Sequence, residues 1–417
     1  MRKRVLVVFG SAVMQKLSVL IMTVAAARII GAEELGKFAI VYATCVNLTG
    51  FIGDGLAATV NSHVPLSQKR TSSSQYDMAG MLVSFCVLLA ISLCLLMLIA
   101  APMLSRIISG NADLAPYVRI SSLITLFLLP NTVANALLNS FEKALPAAVA
   151  AAGGTLSAVG LGLLGALYHG AFGMCLGFAA GTMLSTLGYC ILLKKYFSRI
   201  FVHIRYLKMF FKSGIFQSFT FPTMATMALG GPVHWLCMSM LGSSVAGMRQ
   251  IAIFSAFFQW YSILTFIPAS LTNFTIPWLA KVKLDRENLF RAYALKVLLA
   301  NIVLGAGLLG SVFMLKDHIL ALYGKDFVGE GSVLLLLAVC GFFASLITTM
   351  NQISWASGKT WGNLLTAFAY GIAYVAGTFV FVKILNHGVI GLIISILIAS
   401  LIQGCIQAKF AFFSNSK

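Results

Sequence analysis

Charged residues are scarce in this chain: only 10% of its 417 residues are Asp, Glu, Lys or Arg, and only 11 are acids. Soluble proteins carry about 25% charged residues and roughly 45–50% apolar ones, whereas the hydrophobic share here is 59%. A soluble fold cannot cover that much apolar side chain. A water-soluble enzyme, a disordered chain and a collagen-like chain are therefore excluded, and a polytopic membrane protein remains.

Motifs of catalysis and cofactor binding are also missing. The sequence has no G-x-x-x-x-G-K-[ST] loop, so it carries no ATP motor of its own, and it has no G-x-S-x-G or H-E-x-x-H motif. Its 8 cysteines lie in apolar segments without metal-ligand spacing, so we expect free thiols and no metal site or other cofactor. We expect a transporter and not an enzyme.

The net charge of +18 does not indicate nucleic-acid binding. A nucleic-acid surface gathers basic residues on one folded face, whereas here they lie in short gaps between apolar segments, as the positive-inside rule describes. A spanning helix needs about 20 apolar residues, which predicts an all-α membrane protein of about twelve transmembrane helices. The predicted spans are 5–29, 37–61, 78–101, 116–140, 147–168, 171–193, 215–241, 251–279, 295–315, 333–356, 362–385 and 388–408.

Landmarks near the ends of these spans repeat in the same order along the chain. Gly31-x4-Gly36 recurs as Gly242-x4-Gly247, and Leu167-x-His169-Gly170-x-x-Gly173 recurs as Leu385-x-His387-Gly388-x-x-Gly391. This order predicts a duplication into two six-helix bundles, 1–193 and 215–417, joined by a basic cytoplasmic linker, 194–214. Because each bundle has an even number of helices, both bundles enter the membrane from the same side. We therefore expect a pseudo-two-fold axis along the membrane normal to relate them, as in alternating-access transporters built from parallel repeats.

Two charged residues lie well inside predicted spans. Lys16 is about 16 Å deep if the first helix begins near Val5, so we expect it to face the bundle interior or a water-filled cavity. It could hold an anionic substrate or form a structural pair. Asp54 shares a helix face with Asn47 and Asn61, and it could pair with a loop lysine or serve as an ion-coupling group.

Polar residues occupy corresponding depths in the two halves. Asn131, Asn135 and Asn139 follow Pro130 at four-residue spacing, and Asn351 has the corresponding place in the second half. Two interpretations stay open: hydrogen bonds between helices, or a polar lining that binds substrate.

Basic residues also occur at the outer ends of predicted spans, at Arg28, Arg119 and Arg249. Such side chains often extend to the interface, and they could instead form a basic vestibule for the substrate.

Three segments resemble polysaccharide flippases. The first loop of those proteins is similar to Ala27-Arg28-Ile29-Ile30-Gly31-Ala32-Glu33-Glu34-Leu35-Gly36-Lys37-Phe38. The end of their second span is similar to Gly53-Asp54-Gly55-Leu56, and the loop before their tenth span is similar to Leu322-Tyr323-Gly324-Lys325-Asp326-Phe327. Those flippases belong to the multidrug/oligosaccharidyl-lipid/polysaccharide exporter superfamily. The resemblance implies a bacterial inner-membrane flippase for undecaprenyl-pyrophosphate-linked oligosaccharides such as O-antigen units. It also implies membrane lipids, a polymerase and a chain-length regulator as partners. The alternatives are a cation-coupled drug antiporter of the same superfamily and a polymerase or ligase of the same pathway.

The charge asymmetry of the loops predicts that both termini are cytoplasmic. Reporter fusions at Lys208 and Lys283 should therefore indicate the cytoplasm, and fusions at Gly110 and Lys325 the periplasm. A periplasmic signal at Lys208 would overturn this orientation.

Overall fold

The computed structural model describes residues 2–68, 72–110, 112–196, 203–228, 230–285, 287–356 and 360–409. Within these ranges the secondary structure is helical, with no strand. The α-helices are α1 (Arg2–Gln68), α2 (Ser72–Ser109), α3 (Ala115–Ser140), α4 (Ala144–Tyr196), α5 (Ile204–Lys212), α6 (Phe221–Ala228), α7 (Gly231–Gly242), α8 (Gly247–Asp285), α9 (Glu287–Met314), α10 (Lys316–Tyr323), α11 (Gly331–Ala356), α12 (Thr360–Thr378) and α13 (Gly388–Ala408). Two π-helices (Phe216–Thr220 and Phe379–Ile384) and a 3-10 turn (Lys325–Phe327) complete them.

Two of the helices are long enough to cross a membrane twice. Helix α1 has 67 residues and leaves helical geometry at Gly31, where φ is 75°. Helix α4 has 53 residues and does so at His169 and Gly170. Nine helices in the described ranges are apolar and long enough to cross a membrane. Division of α1 and α4 at these breaks gives each of them two segments, as the predicted spans require. The all-α polytopic fold is confirmed, and the number of twelve spans stays a prediction.

The chain divides into two compact units, Met1–Trp235 and Leu236–Lys417. A core of the first unit gathers Phe85, Leu129, Leu137 and Phe210 from α2, α3 and α5. In the second unit, Tyr323 is fully buried and donates its hydroxyl to the Ala256 carbonyl oxygen at 3.0 Å. The first unit includes residues 215–235, which the sequence analysis assigns to the second bundle; the bundle boundaries stay a prediction.

The two arms of α4 pack through small residues. A Cβ atom at Gly177 would lie against the carbonyl oxygen of Leu161, and one at Gly181 would lie against the backbone of Ala158. Glycine at these positions lets the arms approach to backbone contact, as in closely packed membrane helices.

The turn that divides α4 has a counterpart in the second unit. Gly170 and Gly388 have φ values of 57° and 54°, a region that favours glycine. The Glu34 carboxylate accepts the Ala171 N–H at 3.1 Å, and Lys37 donates to the same carboxylate at 2.6 Å. In the second unit the Gln250 side chain lies against Gly388. A polar side chain thus meets the same glycine turn in each half, as expected for a duplicated chain.

The glycine contacts in α4 predict a sharp difference between two substitutions. Gly177→Leu should destabilise the protein by about 1–3 kcal/mol or more, because overpacking forces backbones apart. Gly188→Leu should have little effect, since no atom lies within 4 Å of a Cβ built there. Thermal unfolding of the purified variants, followed by size-exclusion chromatography, measures both. Equal stability of the two variants would contradict the close packing.

Candidate functional site

The second arm of α1, from Ala32 onward, presents an unusual surface for a helix in a membrane protein. None of its large apolar side chains between Ile30 and Val64, all described by the structure, is exposed. Helix α2, by contrast, exposes Leu95, Leu96 and Ile99, which suits a surface in contact with lipid. The uncovered side of this α1 arm is therefore made of small and polar residues, which suit contact with water better than contact with acyl chains.

Three polar side chains define that uncovered side, which we call the polar face: Asn47, Asp54 and Asn61, spaced by seven residues. Asp54 and Asn61 are exposed and Asn47 is half-buried. The Asp54 carboxylate makes no hydrogen bond or ion pair with any residue that the structure describes, so the lysine partner considered in the sequence analysis is not found among them. A charged group facing hydrocarbon is costly, so the polar face indicates a water-filled space.

Lys16 lies on the first arm of α1, on the side that packs into the protein. Thr23 and Ala27 follow it by seven and eleven residues, which puts them within about 20° of it around the helix, and both are buried. Leu17 and Ile21, which are about 100° and 140° away, are exposed in the manner of lipid-facing residues. Lys16 itself is exposed. Its side chain therefore enters an uncovered space on the protein side of the helix.

The predicted asparagines occupy different environments. Asn131 donates from Nδ2 to the Thr182 carbonyl oxygen of α4 at 3.4 Å, which is a bond between helices, while its buried Oδ1 has no partner among the described residues. Asn135 is half-buried and accepts from Asn139 Nδ2 at 3.4 Å. Asn351 is half-buried on α11 in the second unit.

The outer arginines all have exposed side chains, as their positions at span ends suggest. Arg28 ends the first arm of α1, and Arg119 lies in the first turns of α3. Arg249, in the second unit, has its guanidinium 3.6 Å from the Glu330 carboxylate and donates to the Asp326 carbonyl oxygen at 3.3 Å. Its charge is thus partly balanced by the protein.

A contact that the sequence analysis did not anticipate covers another side of α1. The Trp235 indole N–H donates to Thr44 Oγ1 at 2.9 Å, and Thr59 Oγ1 donates to Thr220 Oγ1 at 3.2 Å. Gly55 lies against Met224, whose Cα would be 3.0 Å from a Cβ built on the glycine. Threonine and glycine at these places are common in membrane helices, so the sequence carried no signal that would identify their partners.

Together Lys16 and the polar face offer one ammonium group, one carboxylate and two amides along α1. The described ranges contain no cluster of three metal-ligating side chains. The set on α1 can bind an anion through Lys16 and polar groups through the amides. It contains no paired acid and base positioned for bond cleavage.

The exposure of Lys16 to water predicts a difference between neighbouring positions. In a background without the native cysteines, Lys16→Cys should react with a membrane-impermeant, charged thiol reagent, because its side chain enters a polar space. Leu17→Cys should react much more slowly, although Leu17 is 47% exposed in the protein alone, because lipid covers it. Equal labelling rates would place both side chains in one environment and contradict this geometry.

Comparison with known proteins agrees with this architecture. The chain is 26% identical over 382 residues to the EPS I polysaccharide export inner membrane protein EpsE of Ralstonia nicotianae, covering 90% of this chain and 85% of the relative. It is 34% identical to the EpsE protein of Ralstonia solanacearum over 164 residues, which is 39% of this chain and 38% of that relative.

Two solved structures share the fold at low sequence identity. The lipid II flippase MurJ in an inward closed conformation has a TM-score of 0.81 at 17% identity, with 97% of this chain and 87% of that chain covered. An inward-facing multidrug transporter of the MATE family, in the MOP superfamily, has a TM-score of 0.80 at 14% identity, with 97% of each chain covered. The family model for polysaccharide biosynthesis proteins matches residues 1–283, and the chain therefore belongs to that family.

Proposed function

We propose that this protein moves a lipid-linked oligosaccharide from the cytoplasmic to the periplasmic leaflet of the bacterial inner membrane. In this proposal the carrier lipid is undecaprenyl pyrophosphate and the glycan is a repeat unit of O-antigen or a similar surface polysaccharide. The protein alternates between inward-open and outward-open states that bind the substrate differently.

The placement of Lys16 is the observation that carries this proposal. A substrate with a pyrophosphate needs a cation where it crosses the hydrocarbon, because charge-assisted hydrogen bonds to phosphate oxygens offset the loss of water. Lys16 supplies a cation deep in the first helix, on its protein side. The polar face then offers amides to the sugar hydroxyls, with Asn135 and Asn351 as further candidates, while Arg28, Arg119 and Arg249 receive the pyrophosphate near the outer surface.

The relatives support the same class of substrate. EpsE is named as a polysaccharide export protein and MurJ as a lipid II flippase, so both names describe transport of glycans or lipid-linked precursors. A polymerase and a chain-length regulator are proposed partners, since the product of flipping is the substrate of polymerisation.

A cation-coupled antiporter is the second candidate, and the exposed Asp54 is the observation that favours it. A cavity for drug cations needs acids, and Asp54 is an acid on the polar face without a partner among the described residues. Lys16 opposes this candidate, because a positive charge deep in the membrane-spanning part of the protein repels a cationic drug.

Removing the Lys16 charge should abolish export of surface glycan. In a strain that depends on this protein, Lys16→Ala should lower glycan at least tenfold at unchanged protein abundance, and Lys16→Arg should keep part of it. Lys212→Ala removes an exposed lysine of α5, outside the proposed path, and is the control. Normal glycan from a stably inserted Lys16→Ala protein would refute the role of Lys16.

Asp54 is our candidate for coupling transport to an ion gradient. In vesicles, flipping by the native protein should increase with an imposed proton or sodium gradient, and Asp54→Asn should lose that increase while keeping basal flipping. The flipping rate could instead be unchanged by either gradient and equal in Asp54→Asn and the native protein. That result would contradict ion coupling and favour removal of the product by polymerisation as the driving force.

A further inference from the structure

A cavity lies in the first unit, where the beginning of α2 meets the beginning of α5. It has a volume of about 450 Å³ and is lined by Asp77, His203, Arg205, Tyr206 and Met209. None of these residues belongs to the polar face or to the path proposed for the glycan. The volume falls in the range of roughly 300–1,000 Å³ typical of small-molecule sites.

The walls of this cavity are fixed by packing. Phe210 of α5 is completely buried and its ring centroid lies 4.9 Å from that of Phe85 on α2. The backbone N–H of His203, just before α5, donates to Ser84 Oγ at 3.1 Å. These contacts hold the first turn of α5 against α2, so the side chains that line the cavity have defined positions.

One wall carries a negative charge. The Tyr206 ring lies over Gly80, where a Cβ atom would be 2.8 Å from ring atom Cε2. Because glycine has no side chain, the ring can take this position. Its hydroxyl donates to Asp77 Oδ1 at 3.3 Å. Burial and then the nearby Asp77 carboxylate raise the pKa of Tyr206, so the hydroxyl keeps its proton for this bond. Because a carboxylate has two oxygens, Asp77 Oδ2 can accept from a ligand cation.

The lining also contains basic groups. Arg205 is exposed and its guanidinium offers five N–H donors. His203 Nδ1 accepts the Arg205 backbone N–H at 3.0 Å, which leaves Nε2 as the protonated, donating nitrogen of the neutral ring. The exposed Lys208 follows on the same helix, and it adds positive charge near the cavity.

We propose that this cavity binds the phosphoethanolamine headgroup of a membrane lipid. A simple anion would meet the Asp77 carboxylate, and a simple cation would meet Arg205, so the walls match a ligand that carries both charges a few bonds apart. The phosphate accepts from Arg205 and His203, and the primary ammonium donates to Asp77. The basic α5 helix also exposes Phe211 by 50%, an amphipathic character that suits the membrane surface where such headgroups lie.

Native mass spectrometry of the purified full-length protein tests this site. The native protein, exposed to equal amounts of phosphatidylethanolamine and phosphatidylglycerol, should retain the former in excess. Asp77→Asn should reduce that preference roughly tenfold, as expected for loss of a charged hydrogen bond, and Arg205→Gln should weaken retention of both lipids. Lys212→Gln, which removes an equal charge from the same helix outside the cavity, should change neither.

Tyr206→Phe provides a second variant, since it keeps the ring packing and removes only the bond that orients Asp77; it should lose part of the preference. Equal retention of the two lipids by the native protein, or an unchanged preference in both Asp77→Asn and Tyr206→Phe, would overturn the proposal. Soluble phosphoethanolamine distinguishes the source of the ligand. If it saturates the protein at lower concentration than the lipid does, the site takes a soluble metabolite and the assignment to a lipid is wrong.

Discussion

The cost of placing charge in hydrocarbon governs the organisation of this protein. A lysine deep in a spanning helix is tolerated only where protein or water surrounds its ammonium group. Lys16 satisfies this condition because it shares the helix side of the buried Thr23 and Ala27, while Leu17 and Ile21 take the lipid side. The second arm of α1 follows the same rule, since its polar face carries Asp54 and its large apolar side chains are covered. One long helix thereby carries both a positive and a negative side chain at exposed positions.

Backbone proximity is the second constraint. Apolar side chains gain little by leaving lipid for protein, so helices associate through close packing and hydrogen bonds. Glycine supplies the close packing, as Gly177 does between the arms of α4 and Gly55 does against Met224. The same residue type forms the turns at Gly170 and Gly388, where a polar side chain from the neighbouring helix meets the backbone.

Hydropathy made the fold predictable, because apolar segments of spanning length separated by basic gaps have few other structures available. The seven-residue spacing likewise predicted that Asn47, Asp54 and Asn61 share one helix face. The cost of a charge in hydrocarbon predicted that Lys16 faces the bundle interior or a water-filled cavity. The neighbours that cover Thr23 and Ala27 were not predictable, since they depend on tertiary packing. Partners between helices were equally hidden: Asn131 bonding Thr182, Trp235 bonding Thr44 and the cavity at Asp77 all arise from tertiary packing that leaves no local pattern.

The central claim is that Lys16 recognises the pyrophosphate of a lipid-linked glycan. Equilibrium binding to a short-chain prenyl carrier measures this most directly, with the same sugar attached through a pyrophosphate or through a monophosphate. The native protein should bind the pyrophosphate form more tightly, and Lys16→Ala should bind both forms with equal, weaker affinity. A Lys16→Ala protein that keeps the full preference for pyrophosphate would contradict the account.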